Sequence, residues 1–177
     1  MKITLDHNCI INLERKTDIG KQVKTIITNP INQCFIVNIG ASEMRKQDIK
    51  PEHYELFEEL LAKLQIEHLP RLDPMAIFDV TFFNRCIFAN EEMVLLAQKI
   101  ETILFGNSQP IDISKEGLES QSGRKWLNRM CDVHTMWRHI YYANEIFLTT
   151  DQNFRKETKL PKLIDLGVRR ICHPSEI

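Results

Sequence analysis

The sequence predicts a single α/β domain built around a parallel sheet. Short apolar runs of strand length alternate along the chain with longer segments whose apolar residues recur at helical spacing. Strands separated by helices pair in parallel through right-handed crossovers, which places helices on both faces in a three-layer α/β/α sandwich. A chain of 177 residues can bury one such core and has little room for a second.

The strands are predicted from short runs of β-branched and aromatic residues. The first is Ile3-Thr4-Leu5, and the second contains Phe35-Ile36-Val37. The apolar residues of segment 76–83 fit neither the strand nor the helix period, so it is left unassigned. The five predicted strands cover residues 3–5, 35–37, 65–69, 146–149 and 168–171.

The helices are predicted from apolar stripes and from the residues that start and stop them. Segment 91–105 is the clearest, with acids in its first turn and Gly106-Asn107 as its stop. Pro51 suits the first turn of an earlier helix. The long helical pattern near the end of the chain is expected to break at Cys131-Asp132. The five predicted helices cover residues 8–16, 21–28, 51–64, 91–105 and 123–144.

Composition predicts a cytoplasmic protein with no membrane partner. The five cysteines are widely spaced and include no C-x-x-C pair, which fits a reducing compartment. No apolar run approaches the roughly 18 residues of a membrane span, and the N-terminus lacks the features of a signal peptide. The net charge of −1 does not exclude nucleic acid, because basic clusters are local. These clusters are Arg124, Lys125 and Arg129, then Arg155 and Lys156, and finally Arg169 and Arg170.

Four carboxylates stand near the ends of the apolar runs. Asp6 closes the first strand, and Glu43 follows the second, in a helix that Ser42 is expected to cap. Asp132 precedes the fourth strand and Asp151 follows it. Because the carboxyl ends of parallel strands share one edge of the sheet, these acids can converge there. Grouped carboxylates repel one another, which indicates a divalent cation, and oxygen ligands favour Mg²⁺ or Mn²⁺.

Each acid also has a simpler explanation. Asp6 could cap the helix that follows it, and Glu43 could lie at the positive end of a helix. Asp132 could cap a restarted helix, and Asp151 could form an Asx turn. The four acids together, in this order, favour one cluster over four separate structural roles.

Taken in order, the motifs resemble those of the PIN-domain nucleases. They are Ile3-Thr4-Leu5-Asp6-His7-Asn8, Ser42-Glu43, Asp132 and Phe147-Leu148-Thr149-Thr150-Asp151. The last is the most specific, because in that family an apolar strand ends in Thr-x-Asp. The resemblance treats residues 1–177 as a single PIN-like domain, with a helical middle segment at about 66–121 that matches none of the family's motifs.

The resemblance implies a strand order of 3-2-1-4-5 and an endoribonuclease that hydrolyses phosphodiester bonds of single-stranded or structured RNA with Mg²⁺ or Mn²⁺. Asp6 is implied as a direct metal ligand, and Glu43 as the residue that places a water or a second ion. The implied catalytic and metal-binding residues are Asp6, Glu43, Asp132 and Asp151. The residues expected to hold them by hydrogen bonds are Asn8, Thr149 and Asn153.

Other functional classes remain open. The bulky residues that follow Asp132, among them Met136 and Trp137, are compatible with a catalytically inactive PIN module that serves as an RNA- or protein-binding scaffold. A metal-dependent phosphatase is disfavoured, because Asp6-His7-Asn8 lacks the second Asp of a D-x-D nucleophile motif. Beside RNA, the resemblance allows an antitoxin or a processing complex as a protein partner, and a homodimer.

Overall fold

The computed structural model describes residues 1–47, 49, 53–106 and 113–177, and over these residues the chain forms a five-stranded, all-parallel sheet flanked by helices. The strands lie in the order β3-β2-β1-β4-β5. They are β1 (Lys2–Leu5), β2 (Gln33–Val37), β3 (Arg71–Leu72), β4 (Ile146–Leu148) and β5 (Ile171–Cys172). The predicted three-layer α/β/α sandwich and its strand order are confirmed.

The helices begin where the sequence offers capping side chains. Thr17 accepts a hydrogen bond from the backbone N–H of Gly20, and Asn90 and Ser120 start later helices in the same way. The α-helices are α1 (His7–Glu14), α2 (Asp18–Thr28), α3 (Tyr54–Lys63), α4 (Glu91–Phe105), α5 (Ile113–Glu116), α6 (Gln121–Tyr141) and α7 (Leu160–Asp165). Short 3-10 segments cover Asn38–Gln47, Phe83–Arg85 and Pro174–Glu176. In the part of the chain described, none of these helices has the length and apolar character to cross a membrane.

The central strand β1 sets the register of the sheet. It pairs in parallel with β2 on one side and β4 on the other, so Leu5 lies opposite both Ile36 and Leu148. These three residues stand at or next to the carboxyl ends of their strands. The residues that follow them therefore enter the same edge of the sheet.

Side chains alternate between the two faces of the sheet, and each face has its own helices. On one face Ile3 and Leu5 pack in a cluster with residues of α1, α2 and α3. On the other face Phe147 and Ile171 pack with residues of α4, α6 and α7, including the fully buried Trp137. This alternation is the period of two expected for strands covered on both faces.

The predicted third strand is wrong in position. Residues 65–69 form the turn that ends α3: Gln65 has a φ of 58° and its N–H bonds to the carbonyl of Ala62. Pairing with β2 begins only at Pro70, whose carbonyl accepts from Ile36, and β3 follows it. The C-terminal turn of α3 therefore uses backbone N–H and carbonyl groups that a strand at this position would need for pairing.

Two further predictions about local structure are wrong. Helix α6 runs through Cys131-Asp132 without a break, because Val133, Met136 and Trp137 bury a continuous face that outweighs the polar residue among them. Ser42 does not cap a helix; its hydroxyl donates to the carbonyl of Val80 at 2.5 Å.

The remaining differences are at element ends and in a short helix that was not predicted. The last strand is Ile171–Cys172 rather than 168–171, and the short helix α7, which contains Pro161, has no counterpart in the prediction. Helix α4 has the predicted bounds. The helix start expected at Pro51 lies outside the described residues.

Thr4 joins the sheet to α6 through a buried polar contact. Its side chain is fully buried, and its hydroxyl lies 3.0 Å from Nδ1 of His139 and accepts from the amide of Asn144 at 2.8 Å. Burial lowers the pKa of His139 to about 3, which keeps the ring neutral. A buried donor that loses its partner destabilises the fold, so this contact fixes α6 against β1.

We predict that Thr4→Val destabilises the protein by about 1–3 kcal/mol, because two buried polar groups lose their partner while the side-chain volume is kept. Urea denaturation followed by circular dichroism measures this. Thr102→Val is the matched control, since Thr102 is exposed and its hydroxyl donates to the carbonyl of Gln98 in its own helix. Equal unfolding free energies for the two variants would contradict the assignment.

Candidate acidic site at the carboxyl edge of the sheet

Asp6 occupies the centre of the candidate site. It follows β1, its side chain is 2% exposed, and its N–H donates to the carbonyl of Leu148 at 2.9 Å. Its carboxylate accepts hydrogen bonds from Asn8 at 3.0 Å and from the hydroxyl of Thr149 at 2.5 Å. It makes no side-chain capping bond to α1, which removes the simplest structural explanation for this acid.

The same threonine links Asp6 to Asp151. The hydroxyl of Thr149 donates to Asp6 and accepts from the backbone N–H of Asp151 at 2.9 Å. The carboxylate of Asp151 in turn accepts from the backbone N–H of Asn153 at 2.7 Å. This is the geometry of an Asx turn, so Asp151 has the predicted local role and also faces the cluster. The side chain of Asn153 contacts Lys159 instead.

Asp132 and Glu43 approach from α6 and from the 3-10 segment Asn38–Gln47, which pack on each other. Both side chains are partly buried. Burial raises the pKa of Asp132 to about 8, and the charges of Asp6 and Asp151 raise it further. Burial also raises the pKa of Glu43 well above its ordinary value, together with the charges of Asp6 and Asp132.

The four predicted acids therefore share one electrostatic neighbourhood. The pKa of Asp6 is raised, first by burial and also by the charge of Asp151, against the hydrogen bonds from Thr149 and Asn8 that lower it. The charges of Asp6 and Asp151 thus oppose the ionisation of Asp132, which comes from a distant part of the chain, at the carboxyl edge of the sheet. Such an arrangement is unfavourable unless protons or a cation neutralise it.

The donor chemistry of this edge fits a hydrated hard cation. All four acids supply oxygen ligands, which Mg²⁺ and Mn²⁺ prefer. Among the residues that the structure describes, no three Asp, Glu, His or Cys side chains are grouped so that they could hold one ion directly. Mg²⁺ keeps several waters and is commonly bound through one or two carboxylates, so the arrangement suits that coordination.

A cleft of about 510 Å³ opens beside the acidic edge. Glu43 and Asn8 form part of its wall, and α1 and α6 contribute the basic residues Arg15 and Arg124. Sequence reasoning missed Arg15 and the role of His7 in this wall. A signal existed for both, because His7, Ile11 and Arg15 recur every four residues and so share one face of α1.

Arg129, the basic residue nearest to Asp132 in the sequence, has structural partners. Arg129 pairs with Glu101 at 3.1 Å, and its guanidinium lies 4.9 Å from the ring centre of Phe105, so it ties α6 to α4. Further along the chain, Arg155 pairs with Glu176. Of the predicted basic cluster at 124, 125 and 129, the cleft is lined by Arg124.

The fold and this edge define the general class of the molecule: a parallel α/β/α domain with acids where such sheets bind ligands. No family model, no curated protein and no solved structure matches the chain. The functional inference therefore depends on the side chains at this edge.

We predict that the metal-free protein loses stability as pH rises from about 5 to 8. In that range folded Asp132, with a pKa of about 8, keeps a proton that the unfolded chain has released, so the folded state binds more protons and stability falls with pH. Replacing Asp132 with Asn should raise the melting temperature at pH 8 by about 4 °C, the equivalent of roughly 1–2 kcal/mol for a chain of this size.

Thermal denaturation in EDTA at both pH values tests this, with the exposed Asp165→Asn as the control. A pH-dependent loss that is the same in wild type and Asp132→Asn would show that Asp132 does not carry the proton.

Proposed function

We propose that the protein is a divalent-metal-dependent endoribonuclease of the PIN type, acting on RNA in the cytoplasm. One observation carries the proposal: the acids that the resemblance implies converge on the carboxyl edge of β1 and β4, where Thr149 bonds to Asp6 and Asp151, and the charges of the other three acids raise the pKa of Glu43 beyond the effect of its burial. These acids are Asp6, Glu43, Asp132 and Asp151. Because phosphodiester RNA is itself anionic, such an edge favours RNA only with a cation present.

Mg²⁺ or Mn²⁺ would bring a positive charge to the phosphoryl and leaving oxygens and would lower the pKa of a bound water. Asp6 is the best candidate to hold the ion, because it is the most deeply placed acid and its carboxylate is fixed by two side chains. Asp132 and Asp151 approach from the α6 and β4 sides. Glu43, which also lines the cleft, would place a water or a second ion in the proposed enzyme.

Thr149 gives the edge its rigidity. Its hydroxyl donates to the carboxylate of Asp6 and accepts from the N–H of Asp151, so Thr149, which directly follows β4, holds both acids. Groups that orient metal ligands in this way commonly change metal affinity or activity by 10–100-fold when they are removed. Thr149 is therefore a positioning residue in the proposed enzyme.

A non-catalytic scaffold is the second candidate, and a separate observation favours it. Phe78, Phe83 and Phe88 are between 88% and 98% exposed. Exposed large apolar side chains that form one contiguous patch are typical of surfaces that bind other proteins. Such a surface is compatible with an antitoxin, a processing complex or a second copy of the chain, and it does not conflict with catalysis at the acidic edge.

We predict that Asp6→Asn lowers RNA cleavage by at least about 100-fold, because the central oxygen ligand loses its charge while the side-chain shape is kept. The measurement is cleavage of end-labelled single-stranded RNA in Mg²⁺, in Mn²⁺ and in EDTA. Asp165→Asn, an exposed acid on α7, should leave the rate unchanged.

Metal-dependent cleavage that persists at the wild-type rate in Asp6→Asn would contradict the proposed active site. A protein that folds, binds RNA and cleaves it with neither metal would support the scaffold. Circular dichroism of each variant separates loss of fold from loss of activity.

We predict that Thr149→Val lowers cleavage by roughly 10–100-fold, whereas Thr149→Ser, which keeps the hydroxyl, stays near the wild-type rate. The metal concentration for half-maximal activity should rise in Thr149→Val and not in Thr149→Ser. Equal effects of the two substitutions would mean that the methyl packing of Thr149 matters and its hydrogen bonds do not.

A further inference from the structure

The cleft beside the acidic edge has the size and polarity of a ligand site. Its volume of about 510 Å³ lies within the range of small-molecule pockets. Helices α1 and α6 both contribute to its wall, and Glu43 and Met44 belong to the 3-10 segment Asn38–Gln47. Its polar and charged lining residues are His7, Asn8, Glu14, Arg15, Glu43, Glu119, Arg124 and Asn128.

His7 lies at the boundary between the cleft and the core. It lines the cleft and is 3% exposed, yet neither ring nitrogen has a hydrogen-bond partner among the described residues. Its ring is tightly held: a Cβ on Gly40 would lie 2.7 Å from Nδ1, and Phe57 packs at 6.4 Å between ring centres. Both ring nitrogens are enclosed by the surrounding core, so His7 shapes the wall, and a ligand in the cleft would bond to other lining residues such as Arg15 and Arg124.

The charges of the cleft favour a nucleobase over a bare phosphate. Arg15 and Arg124 both line the cleft, but so do Glu14 and Glu119, and Arg124 lies 3.4 Å from Glu119. A phosphate alone would meet these carboxylates. A base edge presents both donors and acceptors, so it can bond to guanidinium, carboxylate and amide groups together.

We infer that this cleft receives one unstacked base of single-stranded RNA, next to the bond that the acidic edge cleaves. The inference depends on the proposed nuclease function, since Glu43 belongs to both the cleft and the acidic edge. A base can enter a pocket of this kind only when it is splayed out of a helix, which is how proteins read single-stranded RNA. The nuclease would then distinguish bases beside its cleavage site.

Binding separates base recognition from general attraction to phosphate. The probes are 12-nucleotide RNAs of single composition (A, C or U), an alternating GU sequence, and an abasic ribose-phosphate strand of equal length. Fluorescence anisotropy is measured in Ca²⁺, which also takes carboxylate oxygens, with gels to confirm that the RNA stays intact. We expect the wild type to bind its best RNA at least about tenfold more tightly than the abasic strand.

The variants test whether the cleft is the source of this affinity ratio, which is the affinity for the best RNA divided by the affinity for the abasic strand. Arg15→Ala/Arg124→Ala should reduce the ratio to below about threefold. The matched control is Lys16→Ala/Lys125→Ala, which removes the same charge from the neighbouring exposed positions outside the cleft and should keep the ratio. Melting curves check that each variant is folded.

The inference is overturned if the wild type shows no preference for RNA over the abasic strand, or if the cleft and control variants keep the same ratio. The nuclease proposal is judged separately by cleavage. A base preference that is lost in the cleft variants, without cleavage in any metal, would support the base site and contradict the nuclease proposal. Cleavage without any base preference would support the nuclease proposal and contradict the base site.

Discussion

Parallel pairing of β1 with both β2 and β4 is the constraint on which the candidate site depends. It aligns Leu5 with Leu148, so that Asp6 and Thr149, the next residue on each strand, come within hydrogen-bonding distance. The N–H of Asp6 also continues the ladder to Leu148. A shift of either strand by one residue would turn these side chains to the opposite face and would separate the acids.

The same alignment has an energetic consequence. Acids at this edge are buried and close to other acids, so ionising them without a counter-charge opposes folding. The hydrogen bonds from Thr149 and Asn8 compensate Asp6 in part. Residual repulsion of this kind is what a cation would relieve, which connects the stability of the domain to the function proposed for it. Sites used for chemistry often carry such unfavourable features, supported by the surrounding fold.

The sequence predicts those parts of the structure that follow from local patterns. Strands that end in an acid, the alternation of strands and helices, and helix α4 with its acidic start and glycine stop are all predicted correctly. The break in α6 and the position of β3 are not, because burial of Trp137 and the turn at Gln65 depend on tertiary packing. Ser42 is of a residue type that often caps helices, but its hydroxyl donates to the carbonyl of Val80 instead. The cleft could not be predicted, since its walls come from helices far apart in the chain.

Helix α6 connects these features, because it carries Asp132, bonds to Thr4 through His139 and forms one wall of the cleft. The central claim is that the acidic edge holds a divalent cation. Crystals soaked in Mn²⁺ and measured by anomalous diffraction test it directly. We expect an anomalous peak within coordination distance of the Asp6 carboxylate, roughly 2.0–2.3 Å, with Asp132 or Asp151 contributing directly or through water. Ordered density for all four acids at saturating Mn²⁺, with no peak at this edge, would contradict the claim.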